Sequence, residues 1–137
     1  MALTHLVDTS VLTRLREPSV RAAIEPRARD GHVARAGISD LEIGYSARNV
    51  VEWDRLLSAL DVFELIETSA EHVVRARQVQ RLLAKKHQRG RKVPDLLVAA
   101  AAEARSLTVL HYDADFDRIA AITRQASEWI VPPGSID

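Results

Sequence analysis

Four acidic residues stand where a strand should end or a helix should begin. Asp8 and Asp113 each follow an apolar run, and Glu42 and Asp95 lie in segments that should open helices. Open α/β sheets bind their ligands at this edge. Carboxylates gathered there repel one another unless a hard cation joins them. The pattern therefore predicts an oxygen-rich site for one or two Mg²⁺ or Mn²⁺ ions, and with it phosphate chemistry.

Further polar side chains stand close to these acids in the sequence. Asp115 lies two residues beyond Asp113, and Thr9 and Ser10 follow Asp8 directly. The carboxylate of Asp115 extends the acidic group. The two hydroxyls can hydrogen-bond a carboxylate or a water held by an ion.

Each acid also has an ordinary structural explanation. Asp8 fits the N-cap of the helix that follows it, and Glu42 fits a capping box with Ser39. Asp95 would complement a helix dipole, and the acids of 113–117 fit a solvated turn. Only the convergence of the acids in space separates these explanations from a metal site.

The composition of the chain bounds the class of protein. Its 137 residues are 47% hydrophobic and 28% charged, which predicts one globular domain over residues 1–137. The formal net charge is +0, so any contact with nucleic acid must rest on a local basic surface. Cysteine is absent, which excludes disulfides and thiolate metal sites. Without a long apolar run or a signal-type N-terminus, we expect a cytoplasmic protein that does not associate with membranes.

Strand and helix patterns alternate along the chain. Apolar runs predict strands at residues 3–7, 33–36, 62–66, 107–111 and 129–131. Helical spacing predicts helices at residues 10–16, 18–29, 39–48, 49–60, 68–84, 94–105 and 116–123. Strands separated by helices imply right-handed crossovers and a parallel sheet with both faces covered. The expected fold is an α/β/α sandwich around a central, mainly parallel sheet of four to five strands.

Two helix starts carry a residue pair typical of a capping box. Asn49 with Glu52 and Thr68 with Glu71 have the required spacing. Trp53 belongs to the apolar stripe of the first of these helices, and we expect it to pack in the core.

Four segments occur in a characteristic order along the chain. They are Leu6-Val-Asp8-Thr-Ser-Val-Leu12, then Glu42, then Pro94-Asp-Leu-Leu-Val-Ala-Ala100, then Asp113-Ala-Asp-Phe-Asp117. Together they resemble the PIN-domain family and, more narrowly, the VapC toxins of bacterial VapBC toxin–antitoxin pairs. The resemblance covers essentially the full length. It implies a Mg²⁺- or Mn²⁺-dependent endoribonuclease that cuts single-stranded or looped RNA.

The resemblance also implies roles for individual residues. The catalytic acidic quartet of the family falls on Asp8, Glu42, Asp95 and Asp113. The implied metal ligands are Asp8, Asp95, Asp113 and the additional acid Asp115. The small hydroxylated residue of the family matches Thr9 or Ser10. The chain departs from the family at His111, where Thr or Ser is frequent, and the sequence leaves open whether His111 faces the site or the sheet.

A basic segment precedes the predicted helix that carries Asp95. It contains Lys85, Lys86, Arg89, Arg91 and Lys92. If Asp95 lies at the site, Arg89, Arg91 and Lys92 would lie at its rim and bind RNA phosphates. An ordinary solvated loop explains the same residues equally well. Tyr112, next to Asp113, is the best-placed aromatic side chain for stacking on a base.

The resemblance implies protein partners as well as RNA. A VapB-like antitoxin would lay a helical segment over the acidic groove, and the toxin would form a homodimer and a toxin–antitoxin hetero-oligomer. The alternative function is a PIN-like binding module that has lost cleavage and acts through protein partners.

Overall fold

Five short parallel strands form the single sheet of the computed structural model, which describes residues 2–88 and 92–137. The strands are β1 His5–Val7, β2 Val33–Ala36, β3 Glu64–Ile66, β4 Thr108–His111 and β5 Ser127–Trp129. Their order in the sheet is β3-β2-β1-β4-β5, and every neighbouring pair is parallel. β1 is therefore the central strand, with β2 on one side and β4 on the other.

Helices connect consecutive strands and cover both faces of the sheet. They are α1 Thr9–Leu12, α2 Pro18–Arg29, α3 Gly37–Tyr45, α4 Val50–Ala59, α5 Ala70–Lys85, α6 Val93–Ala104 and α7 Asp115–Thr123. A 3₁₀ turn, Leu60–Val62, precedes β3. Among the described helices, none combines the length and the apolar character that crossing a lipid bilayer requires.

The two faces of the sheet each have their own core. Leu6 of β1 and Val109 of β4 point toward α5, α6 and α7. Their neighbours Val7 and Leu110 point to the opposite face, which α1 and α2 cover. Successive side chains of a strand point to opposite faces, so these buried apolar runs need helices on both sides. The predicted α/β/α sandwich with a parallel sheet of five strands is confirmed.

The predicted helix at residues 10–16 is too long, because α1 ends at Leu12. At two other helices the predicted N-cap is wrong. α3 begins at Gly37, directly after β2, and Ala36 is its N-cap. The expected capping box of Ser39 with Glu42 therefore does not form, and Glu42 lies in the second turn of the helix. Because both residues are inside the helix, their side chains are directed by its face rather than by its end.

The long helix α5 is capped one residue later than predicted. Its N-cap is Ser69, whose hydroxyl accepts the backbone N–H of His72 at 3.3 Å. The Nδ1 atom of His72 in turn accepts the N–H of Ser69 at 3.2 Å. The predicted pair of Thr68 with Glu71 is wrong because the backbone is extended at Ser69 and turns helical only after it.

The helix α4 is only partly as predicted. Asn49 is its N-cap, and the Asn49 side chain accepts the N–H of Glu52 at 2.9 Å. The Glu52 carboxylate, however, accepts the N–H of Arg48 instead of that of Asn49. The expectation that Trp53 packs in the core is wrong, because its side chain is 45% exposed.

Four of the five strands have bounds that differ from the prediction. β1 begins at His5 and β4 at Thr108, two residues and one residue later than predicted. β3 begins at Glu64 because the 3₁₀ turn uses the preceding residues. β5 is Ser127–Trp129 and not 129–131, since its ladder with β4 ends at the pair of His111 with Trp129.

Candidate metal centre

Asp8 and Asp113 lie at one edge of the sheet, at the carboxyl ends of β1 and β4. The two strands are paired through Val7 and Leu110, and the N–H of Asp8 donates to the Leu110 carbonyl at 2.9 Å. Asp113 follows β4 after one intervening residue, and the first turn of α6 adds Asp95 from above the same edge. Parallel strands with their carboxyl ends together explain why residues more than a hundred positions apart become neighbours.

A cleft of about 600 Å³ opens at this edge, and we call it the acid cleft. The predicted site residues that line it are Asp8, Thr9, Ser10, Glu42, Lys92, Asp95, Tyr112 and Asp113. Arg89 and Arg91, predicted to bind RNA phosphates, lie outside the described residues.

Three carboxylates approach one another closely enough to share an ion. Asp95, Asp113 and Asp115 each offer an oxygen atom, and these atoms lie within 4.8 Å of one another. Asp95 is buried, and its Oδ2 atom has no hydrogen-bond partner among the residues that the structure describes. Burying such an oxygen without a donor or a cation is costly. Carboxylate oxygens are the ligands that Mg²⁺ and Mn²⁺ prefer, so these residues fit a hard divalent ion.

Asp8 has two structural roles at once. Its Oδ2 atom accepts the backbone N–H of Ser10 at 2.9 Å, which makes Asp8 the N-cap of α1. The ordinary explanation of this acid is therefore confirmed. Asp8 nevertheless lines the acid cleft, where it interacts electrostatically with Glu42 and Asp95. It stands outside the three-carboxylate group formed by Asp95 and its two partners.

The acids of the cleft differ in proton affinity. Burial, together with the charge of Asp8, raises the pKa of Asp95 to about 7. Burial also raises the pKa of Asp8, and repulsion from Glu42 adds to this. Burial pushes the pKa of Asp113 upward too, but hydrogen bonds from the Asp115 N–H and from Lys92 outweigh it and the net pKa is lowered. Near neutral pH, a nearby cation would therefore favour loss of the proton that Asp95 holds.

Among the described residues, basic side chains contact two of the three carboxylates: Arg118 donates to Oδ1 of Asp115 at 3.1 Å, and Asp113 is contacted by Lys92. Lys92 precedes α6 directly, and its Nζ atom lies 2.9 Å from Oδ2 of Asp113. The charges of Asp95 and Asp115 add to that of Asp113 in raising the pKa of the Lys92 ammonium. The side chain of Lys92 is 61% exposed, so it can leave this contact without crossing the protein.

The hydroxyl groups beside Asp8 bind protein groups on both sides of the cleft. Thr9 donates to Oε1 of Glu42 at 2.7 Å, and its hydroxyl also lies 2.9 Å from that of Ser39. The hydroxyl of Ser10 accepts the N–H of Tyr112 at 2.9 Å. Ser39 is fully buried and was not predicted as a site residue. Its position one helical turn before Glu42 is the signal that marks it.

His111 faces the interior at the end of the sheet, which settles the question that the sequence left open. It is fully buried, with its ring between those of Phe116 and Trp129 at centroid distances of 5.1 and 5.0 Å. Its Nδ1 atom accepts the backbone N–H of Asp113 at 3.2 Å. Burial lowers the pKa of His111, so the ring holds the backbone that carries Asp113 while remaining neutral.

Several residues of the acid cleft were not predicted from the sequence. They are Thr13, Arg14, Ala114, Gly134, Ile136 and Asp137. Arg14 and Asp137 form an ion pair across 123 positions of the chain, at 2.8 Å between Nη2 and Oδ2. No local pattern signals a contact over that separation.

Comparison with known proteins assigns this chain to a family. Residues 5–122 match the PIN domain family. Ribonuclease VapC51 of Mycobacterium tuberculosis is 62% identical to the chain over 137 residues, covering 100% of both proteins.

Solved structures from other bacteria have the same fold. DNA-bound VapBC from Salmonella typhimurium superposes with a TM-score of 0.77 at 18% identity, covering 94% of this chain and 99% of that one. A toxin–antitoxin complex from Klebsiella pneumoniae gives a TM-score of 0.73 at 20% identity, covering 93% of this chain and 98% of that one. At these identities the two structures bear on the fold alone. The family match and the full-length relative mean that the chain belongs to the PIN-domain family and, within it, to the VapC group.

Proposed function

We propose that this protein is the toxin of a type II toxin–antitoxin pair and acts as a divalent-metal-dependent endoribonuclease. The observation that carries the proposal is the convergence of Asp95, Asp113 and Asp115 within 4.8 Å, with a buried Asp95 oxygen that lacks a hydrogen-bond donor among the described residues. The full-length relative from M. tuberculosis, which is a ribonuclease by name, supports RNA as the substrate.

In this proposal the acidic residues at the scissile phosphate have two roles, metal binding and catalysis. Asp8, Asp95, Asp113 and Asp115 would hold Mg²⁺, for which Mn²⁺ would substitute, and the catalytic residues are Asp8, Glu42, Asp95 and Asp113. When bound, such an ion would supply Lewis acidity and offset the negative charge of a phosphodiester. The carboxyl of Asp95 would be a ligand in its ionised form, which a nearby cation favours.

The neighbouring side chains orient the acids and the RNA. Thr9 holds the carboxylate of Glu42 through its 2.7 Å hydrogen bond. Ser10 joins α1 to the end of β4 through the N–H of Tyr112. Lys92 is exposed enough to reach a phosphate of the RNA, and an ion held by Asp113 would replace the charge that Lys92 supplies to that carboxylate. Binding of the RNA by Tyr112, Arg89 and Arg91 remains a prediction from the sequence.

The proposed partners are RNA and a VapB-like antitoxin, with a homodimer and a toxin–antitoxin hetero-oligomer as assemblies. The kinship of the fold with toxin–antitoxin complexes supports this proposal. So does an exposed apolar surface on α3 and α4, formed by Leu41, Tyr45, Val50 and Val51. Large apolar side chains grouped on a surface are typical of protein contact sites.

The proposal is tested by RNA cleavage with the purified protein. We expect the wild type to cut single-stranded RNA with Mg²⁺ or Mn²⁺ and to be inactive in EDTA. Asp95→Asn should lower the rate by roughly a hundredfold or more, the scale of losing a group that acts in the transition state. Asp61→Asn is the matched control, because Asp61 is an exposed acid outside the acid cleft. Equal cleavage by the wild type and Asp95→Asn would identify a contaminating nuclease and overturn the proposal.

A further inference from the structure

Arg14 presents a planar cation to the acid cleft and is held on three sides. Its Nη1 atom donates to the carbonyl of Ser10 at 2.7 Å. Its guanidinium carbon lies 4.9 Å from the centre of the Tyr112 ring. The Nε and Nη2 atoms donate to the carboxylate of Asp137 in a two-pronged contact, with distances from 2.8 to 3.2 Å. The guanidinium therefore has a fixed orientation, with its fork directed at Asp137.

The segment that carries Asp137 is fastened to the cleft by Tyr112. The hydroxyl of Tyr112 donates to the carbonyl of Ile136 at 2.8 Å. It accepts the backbone N–H groups of Gly134 at 3.0 Å and Ile136 at 3.3 Å. These three hydrogen bonds hold the backbone and leave the Asp137 side chain as the part that reaches Arg14.

The charges of the acid cleft make Arg14 important for a polyanionic substrate. Among the described residues that line the cleft, the cations are Arg14 and Lys92, against the five carboxylates of Asp8, Glu42, Asp95, Asp113 and Asp137. Lys92 is paired with Asp113 and Arg14 with Asp137. RNA phosphates need cationic contacts, and in each pair the carboxylate occupies donors that a phosphate would use.

The two partners of the Arg14 contact differ in how firmly they are held. The Arg14 side chain is 27% exposed and has its other contacts within the cleft. The Asp137 side chain is 52% exposed. Because the Asp137 side chain is half exposed, its carboxylate can leave the fork and be hydrated without moving the buried residues of the cleft. The fork of arginine binds a phosphate with the same two-pronged geometry as a carboxylate.

We propose that Arg14 binds a backbone phosphate of the RNA and that, in the RNA-free protein, the carboxylate of Asp137 occupies the place of that phosphate. The segment that carries Asp137 then competes with substrate at one wall of the acid cleft. This inference rests on the proposed ribonuclease function and adds to it a substrate-binding residue and a built-in competitor.

The test is cleavage of a single-stranded oligoribonucleotide at saturating Mn²⁺, with KM and kcat measured separately. Arg14→Gln should raise KM roughly tenfold with little change in kcat, since the lost contact is remote from the bond that breaks. Asp137→Asn should lower KM by about threefold, because it frees the fork. In the Arg14→Gln background, Asp137→Asn should have no further effect, because its action requires the guanidinium.

The control is Asp61→Asn, which removes one negative charge outside the acid cleft and should leave KM unchanged. A KM unchanged or raised by Asp137→Asn would overturn the inference while leaving the ribonuclease function intact. A decrease in KM that persists in the Arg14→Gln background would overturn it too, because it would mean a general effect of charge. Failure of the wild type to cleave RNA at all would instead overturn the proposed function, and this inference with it.

Discussion

Asp95 is the residue whose environment says most about the acid cleft. Its carboxyl is buried, lies close to Asp8, and has a pKa raised to about 7. A carboxyl with a raised pKa in the folded protein keeps a proton that the unfolded chain releases. The contribution of Asp95 to folding stability in the absence of metal is therefore lost as the pH rises from about 4 to about 7.

The first prediction isolates that contribution by substitution. In EDTA, Asp95→Asn should melt at a higher temperature than the wild type at pH 8, because it removes the buried charge. Near pH 4 the difference between the two melting temperatures should shrink toward zero, since wild-type Asp95 is then protonated and neutral as well. Melting curves across this pH range test the prediction, and a difference that does not depend on pH would contradict it.

The second prediction separates the two roles of Asp8. Asn caps a helix as well as Asp does, so Asp8→Asn keeps the cap of α1 and removes only a crowded charge. It should raise the melting temperature in EDTA and weaken the stabilisation by added Mn²⁺. Asp8→Ala loses the cap as well, which costs about 1 kcal/mol, and should be less stable than Asp8→Asn. Equal melting temperatures for the two variants would mean that the cap contributes nothing.

At this scale the sequence predicted the acids better than their partners. Asp8 and Asp113 were found because each ends an apolar run, a local pattern that the sheet converts into a shared edge. Arg14 was missed because its partner Asp137 lies 123 positions away. Ser39 was assigned to a capping box with Glu42. A hydroxyl three residues before an acid occurs both at the start of a helix and along one face of a helix, so the spacing does not distinguish the two.

A buried arginine, Arg35, connects β2, α3 and the 3₁₀ turn before β3. Arg35 of β2 donates from Nε to Asp40 of α3 at 2.7 Å, and from Nη1 to the carbonyls of Leu60, at 3.0 Å, and Phe63. It therefore fixes the start of α3 against β2 and the approach to β3. The same helix carries Ser39 and Glu42 into the acid cleft, so Arg35 acts on the site through the position of α3.

The third prediction concerns this contact. Arg35→Ala leaves the Asp40 carboxylate and two carbonyls without their donor, which should lower the free energy of unfolding by about 3 kcal/mol. Urea denaturation measures this change. Arg48→Ala is the matched control, because the Arg48 side chain is 84% exposed in its pair with Glu52 and should cause no measurable change. Similar values for the two variants would contradict the role assigned to Arg35.

Elements were predicted more reliably than their ends. β2 was found at residues 33–36 as predicted, because three of its four buried residues are apolar and Gly37 follows them directly. The start of α5 was misplaced by one residue because Thr68 and Ser69 are both good N-caps, and only the backbone conformation selects between them. α3 begins earlier than predicted because the chain passes from β2 into the helix without a loop.

The order of the strands explains why the acid cleft lies where it does. From β1 the chain builds β2 and β3 on one side of the sheet, and later β4 and β5 on the other. The crevice between β1 and β4 is thus the point where the strand order reverses, which is where open α/β sheets bind ligands. Alternation of strands and helices was readable from the sequence. The pairing of β1 with β4 had to be assumed until the registers were known, since no local pattern encodes which strands become neighbours.

Whether the acid cleft is a metal centre is tested by the position of a divalent ion in the folded protein. In crystals soaked with Mn²⁺, we expect an anomalous difference peak between the carboxylates of Asp95, Asp113 and Asp115, with Asp95 Oδ2 among its ligands. The same soak of Asp95→Asn crystals should give a much weaker peak. If wild-type crystals show no peak at these carboxylates, the acid cleft is not a metal centre and the proposed nuclease chemistry is wrong.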